Sequence, residues 1–202
     1  MKTLILISIR TLLLLTVLTS YSQDCKNMVE NKKDEFTGEI KKTSMSLLEK
    51  GKGHESHFKI RQMKDSISII FIDFYYGGAI INSKMYTSKK GDIMYILFSD
   101  DSVLKLTQLK PAYMRDEKAG MGEAMVSFGY SAFSKSNKLL FEPVYSITKE
   151  NLNSIAEKKV KKIRVTTSGE HIQTHKIVEN IEIELTEENA TQLQNDIKCL
   201  LK

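Results

Sequence analysis

Ser66-Ile67-Ser68-Ile69-Ile70-Phe71-Ile72-Asp73-Phe74-Tyr75-Tyr76 is the stretch on which the fold turns. It is β-branched and aromatic, with apolar residues on both parities, and such a strand gains most when both faces are covered. Gly77-Gly78 ends it. Working outward, residues 92–98 read as a second strand of this kind, and Asp100-Asp101 turns it back into Val103-Leu104-Lys105-Leu106 as a hairpin. Residues 124–133 and 138–147 read as another pair, joined by the polar turn Ser134-Lys135-Ser136-Asn137. Connections this short require antiparallel pairing.

Beyond residue 147 the pattern changes. Thr148 can cap a helix over residues 149–158 with Leu152, Ile155 and Ala156 on one face. Thr186 can cap a second over residues 187–201, with Ala190, Leu193, Ile197 and Leu200 as its apolar stripe. Between them, residues 160–166 and 171–185 read as strands around a turn at Ser168-Gly169. The expected fold class is α+β, a mainly antiparallel curved β-sheet with two helices in the C-terminal part.

The start of the chain reads as a leader. Lys2 and Arg10 flank an apolar run that includes Leu12-Leu13-Leu14-Leu15, and no acid precedes Asp24. Ser20 and Ser22 around Tyr21 match the small-x-small cleavage pattern of a secretory signal. Residues 1–22 are therefore expected to be a signal peptide, and 23–202 a single α+β domain with no integral membrane span. Cleavage would leave 180 of the 202 residues and bring the formal charge from +5 to +3. A lipid anchor needs its cysteine first after cleavage, whereas Cys25 follows Gln23-Asp24, so the spacing argues against anchoring. The reading is of a secreted or periplasmic protein.

Composition narrows the classes further. With 41% hydrophobic and 27% charged residues the chain is neither a disordered tail nor a polytopic membrane protein. The densest basic run, Lys158-Lys159-Val160-Lys161-Lys162-Ile163-Arg164, has no interleaved aromatics and reads as a solvated face rather than a nucleic-acid surface. An oxidising compartment would let Cys25 and Cys199 pair as a disulfide across nearly the whole domain; two free thiols are the alternative.

Candidate chemistry is sparse. His54-Glu55-Ser56-His57, in a loop opened by Gly51 and Gly53, is the best metal-like cluster, yet His54 and His57 lack the third and fourth ligands that zinc needs. If His57 already lies on a strand, the two rings point to different faces. Asp73 falls on the parity of Phe71 and Tyr75, which would bury its carboxylate; a strand end turning outward to solvent is the simpler expectation. There is no Gly-x-Ser-x-Gly elbow, and nothing in the sequence calls for a cofactor. The irregular stretch 108–123, with Tyr75, Tyr76, Tyr113 and Arg115, offers aromatic faces beside charge and is the expected ligand-binding surface, although strand packing alone accounts for the tyrosines more simply.

The leader ending in Tyr-Ser-Gln, the early cysteine, and Asp34-Glu35-Phe36-Thr37-Gly38-Glu39 before a strand resemble small secreted proteins typical of Bacteroidota. The likeness covers the leader and about 30 residues, and it implies location without activity. Two function classes follow. The first is an exported, non-enzymatic module that binds a peptide, protein or glycan of the cell envelope. The alternative is a small hydrolase or metal-dependent enzyme using His54, His57 and Asp73, which requires those three side chains to converge.

Overall fold

The computed structural model describes residues 25, 27–64, 66–76, 84–116, 138–171 and 177–202. The leader, Gly77-Gly78 and the expected strand at 124–133 lie outside these residues. In chain order the described strands are β1 (Met28–Lys33), β2 (Ile40–Gly51), β3 (His54–Met63), β4 (Ser66–Tyr76), β5 (Lys84–Ser88), β6 (Ile93–Phe98), β7 (Val103–Thr107), β8 (Ala112–Tyr113), β9 (Arg115–Asp116), β10 (Lys138–Phe141), β11 (Val144–Ile147), β12 (Val160–His171) and β13 (Ile177–Glu184). The helices are α1 (Lys149–Glu157), after β11, and α2 (Glu187–Leu201), after β13. The fold is mixed α+β, and every described strand pairing is antiparallel.

The strands form two sheets. One runs β1-β2-β3-β4-β10-β9, and the other β7-β6-β12-β5-β8. Each is organised around one long strand whose neighbours on one edge are split. β4 lies along β3, while β11 and β10 follow one another along its other edge. β12 likewise lies along β13, with β6 and β5 sharing its opposite edge. The expected strand at 138–147 is in fact β10 and β11, both on β4, divided at Glu142-Pro143. Proline has no N–H to donate, so a ladder breaks where it enters.

The apolar pattern of β4 is realised on both faces. Ile69 and Phe71 join a core that draws on both sheets and both helices, including Phe58, Met94, Ile163, Leu152 and Leu193, while Ile70 and Ile72 pack with Leu140 on the other face. The helices occupy the expected places. Thr148 accepts from Asn151 N and Thr186 from Asn189 N, both at 3.2 Å, which satisfies amides that a helix start leaves open. α2 lies against β2, where Asn189 Nδ2 donates to Leu48 O at 2.8 Å.

The turn expected at Ser168-Gly169 is not there: β12 runs through both residues, with its register shifted between Val165 and Ser168. The glycine serves a close approach instead. A Cβ on Gly169 would stand 2.9 Å from Met85 O and 3.1 Å from Tyr86 Cδ1, inside contact distance of β5. His54 is not in a loop either, because β3 begins at it immediately after Gly53, whose φ is 73°.

Cys25 and Cys199 are bonded, with Cα atoms 5.8 Å apart and a separation of 174 positions in sequence. In the chain-entropy account a closed loop of this size stabilises by about 4–5 kcal/mol. Cys199→Ser is expected to lower the unfolding free energy by that order, and reductant to do the same to the native protein, both read from denaturant midpoints. Gly169→Ala should cost about 1–3 kcal/mol by forcing β5 away from β12; an unchanged melting curve would show that the strands can yield without cost.

Candidate functional site

The antiparallel register of β3 and β4 sets His54 opposite Tyr75, Ser56 opposite Asp73 and Phe58 opposite Phe71. Directly opposed residues share a face, so all six project to the side of the main core. Glu55 and His57 oppose Phe74 and Ile72 and belong to the other face. Alternation along the strands thus sorts the chemistry-bearing residues into two groups.

On the core side, Asp73 is fully buried rather than turned outward, because its partners lie across the ladder. Ser56 Oγ donates to Asp73 Oδ1 at 2.7 Å, and His54 Nε2 lies 2.6 Å from the same oxygen. Burial of the imidazole alone would lower its pKa, but the hydrogen bond and charge of Asp73, helped by Glu49 and Glu55, outweigh it and raise the value above the usual histidine range. The Tyr75 ring lies against His54 with centroids 4.6 Å apart. Behind it, burial first and the Asp73 charge second hold the phenols of Tyr75 and of Tyr86 on β5 far above the ordinary tyrosine range. Both stay neutral, and their hydroxyls interact with each other. Asp73 Oδ2 is buried without a bond of full geometry, and the weaker attraction of the Tyr75 hydroxyl to the carboxylate bears on it.

This set contains serine, histidine and aspartate without the relay that makes serine a nucleophile. A working triad threads the imidazole between hydroxyl and carboxylate, using both ring nitrogens. Here Ser56 Oγ and Asp73 Oδ1 both lie on the Nε2 side, the hydroxyl proton is committed to the carboxylate, and Ser56 has no exposed surface. The arrangement can hold a protonated imidazole firmly at the surface end of a buried charge.

His57 does not join this group. It sits on the other face with its ring 5.6 Å from that of Phe74 and Nε2 3.3 Å from Glu55 Oε2. Glu55 is held down to about 2 by Lys50 first and by the Tyr76 hydroxyl next. Among the described residues, no three histidine, cysteine, aspartate or glutamate side chains are placed to share a metal ion.

The residues expected to form a binding surface are likewise divided. Tyr75 faces the core, whereas Tyr76 faces outward towards Glu55. Tyr113 is exposed on β8 in the second sheet, and Arg115 on β9 in the first sheet is ion-paired to Glu142. Buried Met114 is the crossing between them. The basic run at 158–164 is neutralised where it stands: Lys158 meets Asp100 at 2.8 Å, Lys162 meets Glu182 at 2.6 Å, Arg164 also meets Glu182, and Lys159 meets Glu187.

Three participants escaped the sequence reading. Ser56 carries a local signal, the i+2 spacing from His54 on one strand face. Tyr86 carries none, because it arrives from the other sheet. Asp196 lies one residue before Ile197 of the apolar stripe. It is buried on α2, accepting from Ser46 Oγ at 2.6 Å, Asn27 Nδ2 at 3.1 Å and Gln192 Nε2 at 2.8 Å.

The raised His54 value has a definite sign for stability. A group whose pKa is higher folded than unfolded stabilises fully below its unfolded value, about 6.5, and loses that contribution as pH rises through the folded value. The native protein should therefore lose stability as pH rises from about 6.5 through the raised folded value, and His54→Gln should remove that slope. Equal slopes in the two proteins would mean that His54 is not ion-paired to Asp73. Compared with known protein families, curated proteins and solved structures, the chain matches none.

Proposed function

We propose that this protein is an exported binding module of the cell envelope or extracellular space, held shut by its disulfide, and that it recognises its ligand by contact without turnover. Three supports bear on export. The Cys25–Cys199 bond is of a kind that persists in oxidising compartments, no described helix is long and apolar enough to cross a membrane, and the leader-like start carries its own signal.

One observation carries the binding reading. The Asp73 carboxylate, the Ser56 hydroxyl and the inner nitrogen of His54 are engaged with each other beneath the surface, which leaves recognition to rings and cations at the sheet edges. Tyr113 and the open side of His54 are such groups, mounted on strands that a packed core keeps rigid. The hydrolytic alternative needs His57 beside His54 and Asp73, and alternation along β3 sends it to the other face.

Two measurements test this. Protein recovered from an exporting host should begin at Gln23 and carry no free thiol, by intact mass and alkylation. Sedimentation with isolated envelope should retain the native protein, and Tyr113→Ala should reduce retention at least fivefold with a much smaller effect on the melting temperature than truncation of a buried tyrosine, since Tyr113 is 40% exposed. Retention no better than an unrelated exported domain sinks the binding reading, and Ser56-dependent cleavage of a chromogenic ester would replace it with the hydrolase.

A further inference from the structure

The face of the first sheet turned away from the main core carries an arginine that the fold leaves without a counterion. On β3, Glu55, His57, Lys59 and Arg61 alternate with Ser56, Phe58 and Ile60 of the core side, so the four share the other face. The described acids on that side are already engaged. Glu30 is paired to Lys41, Glu39 to Lys64, Glu55 to Lys50 and Glu142 to Arg115. Thr43, which lies between Glu30 and Arg61 in the ladder, gives its hydroxyl to Glu30 at 3.5 Å.

Among the described residues, Lys59 and Arg61 have no ion pair. Arg61 is half-buried, and its Nε lies out of reach of water with no hydrogen-bond partner. A guanidinium drawn partly out of water is ordinarily paired, because its lost hydration is otherwise uncompensated. Lys59 adds a second charge on the same face, about 7 Å along the strand.

The surroundings of Arg61 define the kind of anion that fits. The register sets Ser68 of β4 opposite Arg61, and Ser146 of β11 opposite Ser68. Neither hydroxyl has a partner among the described residues, so a row of one cation and two hydroxyls crosses about 10 Å of sheet. Beside it, Ile70 and Ile72 are only 9% and 3% exposed, and the face therefore offers a bilayer no protruding apolar group. β3 and β4 are laddered along both edges, which leaves an acidic peptide no strand to pair with. Recognition here runs through side-chain donors lying flat on a sheet. A guanidinium fork takes a two-oxygen anion, and the serines take hydroxyls. A polysaccharide that carries carboxylate or sulfate groups among its hydroxyls supplies both.

We propose that this face of the first sheet binds an acidic polysaccharide, with one oxyanion held by Arg61 and Lys59 and neighbouring sugar hydroxyls held by Ser68 and Ser146. The site gives the binding module a ligand class and rests on that reading, but it uses neither Tyr113 nor His54.

Affinity electrophoresis of the disulfide-bonded protein at about 0.01 M salt, where surface charges are least screened, should show retardation by polygalacturonate or dextran sulfate and none by neutral dextran. Arg61→Gln should weaken binding about tenfold, and Arg61→Lys should weaken it too, since the charge is kept but the fork is lost. Ser68→Glu places a carboxylate opposite Arg61 within the chain itself; it should abolish binding while leaving the melting temperature unchanged or raised. Tyr113→Ala and Lys105→Gln, both on the second sheet, should bind as the native protein does. Failure to bind either acidic polymer, binding that survives Arg61→Gln or Ser68→Glu, or an equal loss with Lys105→Gln each overturns the site. Arg61-dependent binding to phosphatidylglycerol vesicles in place of the polymers overturns it in favour of a membrane surface. If envelope still retains the native protein while neither polymer binds, this site falls and the binding reading stands.

Discussion

A carboxylate with no exposed surface stands towards the end of the strand that the rest of the molecule is built around. Removing such a charge from water costs several kcal/mol unless good partners receive it, and breaking an established pair costs nearly as much again. Asp73 therefore constrains the register of β3. With Ser56 opposite, a hydroxyl and an imidazole both reach its Oδ1. A slip of one residue would oppose it with Glu55, a like charge, or with His57, and would turn Phe58 and Ile60 out of the core. Polar and apolar requirements select the same pairing, and that agreement makes the register specific.

The second buried acid works on the same core-facing side of the first sheet, over β2. Asp196 gathers Ser46 from β2, Asn27 from just before β1 and Gln192 from its own helix, while three residues later Cys199 is bonded to Cys25. The first described residues and the last helix are therefore joined covalently and by a hydrogen-bonded charge. β1 is an outer strand, with residues 31–33 exposed, and packing alone gives it little hold. The clasp supplies what its short apolar content does not.

How far the sequence could be read depended on how local each signal was. Threonine caps, helix stripes and the turn at Asp100-Asp101 are contained within a few residues and were legible; Asp101 indeed takes a φ of 61°. The failures have a common physical form. Gly169 looks like a turn because glycine serves turns, but its reason is the backbone of β5, more than eighty residues away. Asp73 looks like a strand end turning to water because its compensation comes from β3, and Tyr86 joins the site only because two sheets face one another. Even where alternation made the faces of β3 legible, the assignment of His54 rather than His57 to the core side rests on which apolar neighbours need burial.

The distribution of polar groups separates the interior from the surface. Inside, the buried charges are occupied in holding the fold. Asp73 fixes a register, Asp196 fixes a helix, and even the basic run at 158–164 is held by acids from β13 and from the β6–β7 turn. The turn at Asp34 differs in kind. It commits a carboxylate and four backbone amides to closing a turn whose Phe36 ring touches none of the core, although a glycine- or serine-rich turn would connect β1 to β2 as well. Those hydrogen bonds fix the backbone of the turn and not the Phe36 ring, whose exposure forfeits the burial that stabilises such a side chain. What the turn contributes is local: Asp34 and Gly38 close the β1–β2 connection through its own backbone.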